Sequence, residues 1–301
     1  PQSGNTLKLT IDNTIQGFCE KAVRECIAAN SAKTVHMIVM DVKTGAILAM
    51  VTKPDYDPND PPRDAIETLN QLMRISIISD VYEPGSTFKI VTASAAIDSG
   101  ATNPEEGFYC SGKITVDGDT IRCWGSPHGA ETMRQALANS CNPVFVELAV
   151  RMGKDTFYKY LKAFGLGTVT GIDLPGEATG ILIGSQYVKT VDIARIGFGQ
   201  SIAVTPIQMI TAACAAINGG RLLKPYLVSE VISPEGEVIQ RNGAQVVANP
   251  ISAETSATMR ELLENVVVNG GGRNAAISGY RIGGKTGTAQ VYKDGKIVRD
   301  V

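Results

Sequence analysis

Glu83-Pro84-Gly85-Ser86-Thr87-Phe88-Lys89 is the stretch on which the reading of this chain turns. A Pro-Gly pair delivers a serine to the start of a segment, and a lysine follows three residues later. Beyond it run Ile90, Val91, Ala93, Ala95, Ala96 and Ile97, then Asp98-Ser99-Gly100. The apolar side chains recur nearly all round, which predicts a buried helix over residues 87–97 closed by Gly100. Positions three apart share a helix face, so Ser86 and Lys89 look the same way. A helix N-terminus supplies unpaired N–H groups and the positive end of the dipole. A lysine turned inward there loses its water, and its pKa falls toward that of a usable base. A serine beside a neutral amine is an activated nucleophile. A plainer reading fits the same seven residues: a serine N-cap and a lysine that snorkels to solvent.

The rest of the chain sets bounds on that choice. It has 301 residues, 44% hydrophobic and 19% charged, enough for one large domain or two with a sizeable core. A net charge of −2 gives no basic surplus for nucleic acid. No run of about 18 apolar residues is long enough to span a bilayer. The opening PQSGNTLKL has neither the charged nor the apolar part of a signal peptide, and reads as a cut inside a longer protein. Six cysteines are too few for a disulfide-built miniprotein; Cys19, Cys26 and Cys214 sit in apolar helical patterns and read as core.

Residues 12–30 read as an amphipathic helix capped by Asp12, with Ile15, Phe18, Cys19, Ala22, Val23, Cys26 and Ile27 recurring at helical spacing. VHMIVMDVKTGAILAMVT reads as a β-hairpin turning at Lys43-Thr44-Gly45, and PDYDPNDPPRD as a loop. A small hairpin is expected around Val116-Asp117-Gly118-Asp119. ETMRQALANS reads as a helix, and the one after it should break at Gly153. TPIQMITAACAAINGG, with Pro206 in its first turn, and SATMRELLENVVVNGGGRN are further helices. The tail YRIGGKTGTAQVYKDGKIV reads as strand, turn at Lys293-Asp294-Gly295, and strand. Strands at both ends with helices between predict an α+β fold, an antiparallel sheet of distant segments covered by helices.

Two more motifs bear on the serine and lysine. Ser140-Cys141-Asn142 joins two helices and can offer a hydroxyl and an amide to one cleft. Lys285-Thr286-Gly287-Thr288 follows Gly283-Gly284. Three glycines within five residues of a strand mark a place where another backbone or a ligand comes close, and a cation with hydroxyls suits a carboxylate. Each motif is common alone. In this order, Ser-x-x-Lys, Ser-x-Asn and Lys-Thr-Gly are the signature set of penicillin-binding proteins and serine β-lactamases. The likeness extends over LTID, MDVKTGAILAM, PDYDPN, EPGSTFK, the CW…HG excursion, GQSIAVTPIQM and GGKTGTAQ. Across most of its length the chain resembles the transpeptidase domain of class B penicillin-binding proteins, in the branch of the sporulation-specific stage V type D members and their cell-division relatives.

That resemblance implies a single transpeptidase domain over residues 1–301, without an N-terminal anchor and pedestal and without a last C-terminal strand and helix. It implies a serine D,D-transpeptidase that cross-links peptidoglycan stem peptides ending in D-Ala-D-Ala and is acylated by β-lactam antibiotics. Ser86 would be the nucleophile and Lys89 its base. Ser140 would relay a proton to the leaving D-alanine, Asn142 would hold the substrate backbone and Lys89, and Lys285 would set the electrostatics. Thr286, Gly287 and Thr288 would line the carboxylate pocket, and the N–H groups of Ser86 and Thr288 would form the oxyanion hole. The chemistry needs no cofactor. The implied setting is the extracytoplasmic face of the cell membrane, with a membrane glycan polymerase as partner. The rival readings are a β-lactamase, for which Glu177 is the carboxylate in the right stretch, and a β-lactam-sensing domain.

Cys110, Cys123 and His128 form Cys-x12-Cys-x4-His, and Cys141 follows inside the Ser-x-Asn motif. Three readings stay open: a structural zinc site on Cys110, Cys123 and His128 with Cys141 or Asp80 as fourth ligand; a Cys110–Cys123 disulfide; or unpaired packing.

Overall fold

The computed structural model describes residues 3–288, together with the strand backbone at 291–293 and 296–298. The chain runs β1 (Thr6–Leu9), α1 (Asn13–Asn30), β2 (Val35–Met40), β3 (Ile47–Lys53), α2 (Ile66–Leu72) and α3 (Ser76–Ser79). A 3₁₀ turn (Gly85–Phe88) leads into α4 (Lys89–Asp98), followed by β4 (Gly107–Cys110), β5 (Lys113–Val116), β6 (Asp119–Arg122) and β7 (Gly129–Thr132). Then come α5 (Met133–Ala138), α6 (Asn142–Ala163), α7 (Thr190–Ile196) and α8 (Pro206–Ile217). β8 (Leu222–Leu223), β9 (Val228–Ile232), β10 (Val238–Arg241), β11 (Val246–Ala248), α9 (Ala253–Asn269), β12 (Val291–Lys293) and β13 (Lys296–Val298) complete it.

The expected α+β fold is observed. β1 pairs antiparallel with β9, Thr6 opposite Ile232, and β10 takes the other edge, so one sheet joins segments more than 200 residues apart. β2 and β3 form the expected hairpin: Asp41 accepts from the N–H groups of Lys43 and Thr44, and Gly45 takes φ 81°. α1 lies on this ladder. Asp12 caps it through Thr14 N and Ile15 N, and Cys19 and Val23 meet Ala49 and Val51. Phe18 is 69% exposed and Cys26 is also exposed, against expectation. The helix carries two apolar stripes and has a sheet for only one of them. Cys214 is half-buried.

The helical part holds the largest core. α4 is its centre, packed against α6, α8 and α9. Every residue from Lys89 to Ala96 is buried, as the all-round apolar pattern requires. Phe88, Phe145, Leu148, Ala212, Ala215, Met259 and Leu262 close around it. Gly100 ends the helix at φ 72°, with Ala101 N returning to Ala96 O. The predicted hairpin at Asp117-Gly118 joins β5 to β6, both turn residues at positive φ. Gly153, at φ 73° and ψ 166°, breaks α6 where expected. α8 starts on a Thr205–Gln208 capping box with Pro206 at its first position. β12 and β13 pair, but only the end of the expected first strand forms: residues 281–288, which carry Lys285-Thr286-Gly287, are extended without strand pairing; the turn residues Asp294 and Gly295 lie outside the described residues. The short helices α2 and α3 were not anticipated.

Candidate active site

The 3₁₀ turn presents Ser86 at the mouth of a cleft of about 1340 Å³. The cleft walls are the β6 hairpin, the α5–α6 junction, the loop after α7, the end of α9 and the extended segment at 286–288. The structure brings all three motifs together here. Lys89, at the first position of α4, is fully buried. Its Nζ lies 3.2 Å from Ser86 Oγ and donates to Ser140 O (2.7 Å), Ser140 Oγ (3.2 Å) and Asn142 Oδ1 (2.7 Å). The snorkelling alternative is thereby excluded. No carboxylate among the described residues forms an ion pair with it. Burial, with the Lys285 cation adding to it, pushes the Lys89 amine down to about 7, against opposing contributions from Cys141, Cys123 and Glu131.

Ser140 sits between two lysines. Lys285 Nζ donates to Ser140 Oγ at 2.9 Å and to Thr286 O at 2.9 Å. Burial pushes Lys285 down to about 8. Ser140 takes φ 55°, a left-handed conformation that turns the chain between α5 and α6 so that its hydroxyl and its carbonyl both face Lys89. Asn142 is anchored from the far side by its amide on Arg122 O (3.2 Å).

The glycines of the Lys-Thr-Gly segment answer to close contacts. A Cβ on Gly287 would stand 2.7 Å from Thr87 Cγ2, and one on Gly283 3.1 Å from Leu263 Cβ. Glycine lets the extended segment lie flat on the Ser86 turn and on α9. Thr286, Gly287 and Thr288 line the cleft.

The cysteine excursion buttresses the same motif. Cys110 ends β4, Cys123 follows β6, His128 precedes β7 and Cys141 caps α6. Their ligand atoms all lie within 4.8 Å of one another. All six cysteines are free thiols, so the structure contains no Cys110–Cys123 disulfide. Asp80 is engaged by Arg74 and Ser79 and is no part of the group, whose fourth member is Cys141. A hydrogen bond from Cys141 draws the Cys123 thiol down to about 5, and Cys141 is pushed above the ordinary thiol range. Glu131 is buried beside His128 Nδ1 (3.7 Å) and accepts from Asn139 Nδ2 (2.9 Å), while Trp124 Nε1 donates to Asn139 O (2.9 Å). Sequence reading missed Glu131; its place three residues after His128 was the available signal.

Glu177, the rival deacylation base, is spent elsewhere. Its carboxylate accepts from Thr170 N (2.6 Å), Thr170 Oγ1 (2.6 Å) and Gly171 N (2.9 Å), closing a loop away from the cleft.

Residues 35–299 match the family model described as "Penicillin binding protein transpeptidase domain". The chain belongs to this family. It is 42% identical over 303 residues to stage V sporulation protein D of Bacillus subtilis, covering all of this chain and 46% of that protein. It is 30% identical over 299 residues to the peptidoglycan D,D-transpeptidase FtsI of Escherichia coli K12, covering 99% of this chain and 48% of that protein. The chain thus spans about half the length of the curated relatives it matches. Penicillin binding protein 3 of Mycobacterium tuberculosis, solved in complex with aztreonam, superposes with a TM-score of 0.91 at 31% identity, over 99% of this chain and 68% of that one. The expected fold and branch are therefore correct. No described helix is long and apolar enough to cross a membrane.

Proposed function

We propose that this penicillin-binding transpeptidase domain is a serine D,D-transpeptidase acting on stem peptides that end in D-Ala-D-Ala. The observation that carries the reading is Lys89: a fully buried amine with no acid partner among the described residues, 3.2 Å from Ser86 Oγ. Ser86 Oγ attacks the carbonyl between the two D-alanines and its proton passes to Lys89 Nζ. The tetrahedral oxyanion is met by the N–H groups of Ser86, at the start of the 3₁₀ turn, and Thr288. The intermediate collapses, the C–N bond breaks, and the departing D-alanine amine takes its proton through Ser140 Oγ. Lys285 and the hydroxyls of Thr286 and Thr288 hold the terminal carboxylate. An amine of a neighbouring stem then attacks the acyl-enzyme, loses a proton to the Lys89–Ser140 relay and releases Ser86. A β-lactam enters the first step and stalls at the acyl-enzyme. This substrate puts the domain at the extracytoplasmic face of the membrane, with a membrane glycan polymerase as its working partner. The higher identity to the stage V sporulation protein supports the sporulation branch.

Ampicillin should add one adduct per chain, mapped to Ser86, and Ser86→Ala should remove all labelling by a fluorescent penicillin while circular dichroism is unchanged. Labelling at an undiminished rate in that variant would overturn the mechanism. Nitrocefin should give a stoichiometric burst; sustained turnover would favour a β-lactamase.

The four-residue cysteine–histidine group is proposed as a structural zinc site. Three thiols and an imidazole are a standard tetrahedral donor set, with ligand atoms about 4 Å apart for Zn–S bonds of about 2.3 Å. The buried positions of Cys110, Cys123 and Cys141 leave room for little else. The ion would pin Cys141 and hence the backbone between Ser140 and Asn142; no step of the reaction passes through it. Protein purified without added zinc should carry one zinc per chain, and Cys141→Ser should lower both zinc content and Tm. A metal-free protein with a Cys–Cys bond would refute it.

A further inference from the structure

The cleft wall formed by Gly199-Gln200-Ser201 is tied to the nucleophile turn by more than packing. Gly85 N donates to Gly199 O (3.0 Å), and Tyr82 and Val204 exchange both backbone hydrogen bonds (3.0 Å each). A Cβ on Gly199 would stand 2.0 Å from Gly85 O, so the two turns meet backbone to backbone. Between these ties lies one made by a side chain: Ser201 N donates to Glu83 Oε1 at 3.0 Å. Ser201 holds φ 57°, a conformation that non-glycine residues adopt only when the surroundings impose it. The other carboxylate oxygen, Glu83 Oε2, is buried with no partner among the described residues. A half-satisfied buried carboxylate is unfavourable for folding. This one stands three residues before the nucleophile and lines the cleft.

Resting on the acyl-enzyme reading above, we propose that Glu83 is a positioning residue for acylation. Through Ser201 N it fixes the 199–201 wall against Gly85, and so fixes the direction in which Ser86 Oγ points. Glu83 does not touch the substrate, and the step itself is unchanged. Its contribution is aim, which for a serine attack is worth as much as a catalytic group. The hydrogen bond to Ser201 N, rather than the negative charge, carries the effect.

Stopped-flow nitrocefin acylation separates aim from folding. Burst amplitude counts chains with an intact site, and burst rate at saturating nitrocefin reports the bond-forming step. Glu83→Gln keeps the acceptor oxygen and should acylate within about 3-fold of the wild type. Glu83→Ala loses the bond, and Glu83→Asp is too short to reach Ser201 N. Both should acylate about 10- to 100-fold more slowly, with full amplitude and a half-saturating concentration within about 3-fold. An unchanged rate in Glu83→Ala, or a loss confined to amplitude, would overturn the proposal. So would a Glu83→Gln variant as slow as Glu83→Ala. Should Glu83→Ala fail to fold, the Asp and Gln variants decide alone. A wild-type chain with no burst would strike the acyl-enzyme reading itself, and this inference with it.

Discussion

Two lysines converge on one hydroxyl, from opposite walls of the cleft. Lys89 comes from the helical wall, is fully buried, and spends its hydrogen bonds on Ser86, Ser140 and Asn142. Lys285 comes from the extended wall, is half-buried, and spends its bonds on Ser140 Oγ and the neighbouring Thr286 O. The same functional group is depressed to about 7 in one place and to about 8 in the other. Enclosure gives both shifts their direction, because an ammonium that loses water without gaining an anion gives up its proton more readily, and Lys89 has the Lys285 cation beside it as a second cause. At neutral pH a large share of Lys89 is neutral, while Lys285 remains mostly a cation. On the proposed chemistry one wall holds a base and the other a charge.

The sharpest way to break this contrast is to make the base a permanent cation. Lys89→Arg keeps the charge and removes the proton acceptor, so the acylation rate should fall by about 10³, within the range that general bases supply. Stopped-flow acylation near wild-type speed would refute the division of roles. Next in size is Ser140→Ala, which takes away the hydroxyl the two lysines share. Penicillin acylation should slow by about 10- to 100-fold, and acylation by a peptide thioester by less, because the β-lactam nitrogen needs a proton as its C–N bond breaks whereas a departing thiolate does not. The smallest effect is a change of shape in the pH profile. Lys89 must be neutral to act, so the acylation rate rises with pH through about 7. Lys285 must be charged to hold a carboxylate, so the rate falls again above about 8. Lys285→Arg should leave the acid limb in place and move the alkaline limb upward by more than one pH unit, since the guanidinium keeps its proton. An alkaline limb unmoved in that variant would assign it to another group.

The contrast also marks what could be read from the sequence. The buried character of α4 followed from apolar residues on every face; the inward aim of Lys89 did not, since a lysine snorkelling to solvent fitted the same residues until the distant motifs were added. The partners of Lys89 did not follow from local pattern: they come from positions 140 and 142, on a junction whose left-handed turn at Ser140 no propensity announces. Only the order of three motifs linked them. Gly287 was legible as a close approach, though not the Thr87 methyl that it approaches. Cys141 was legible as a candidate fourth member of the cysteine–histidine group through its place beside the excursion, whereas Asp80, the other candidate, is bonded to Arg74. The errors on α1 have one cause. Periodicity locates apolar stripes and does not say which one meets a sheet, so Phe18 and Cys26 were placed inside when they are outside. Glu83 carried no signal, because an acidic residue before a Pro-Gly turn reads as solvated until the loop 118 residues away is folded against it.

The contact of Gly287 with Thr87 has a further consequence. The Ser86 turn and the segment at 286–288 meet through the Thr87 methyl, and any side chain at position 287 would push them apart. The span from Ser86 Oγ to the hydroxyls of Thr286 and Thr288 is thereby set by covalent geometry and one van der Waals contact. On the proposed chemistry that span works as a ruler. It measures how many atoms separate the bond being broken from the end of the peptide, and a stem ending one residue too long would put its carboxylate past the mark.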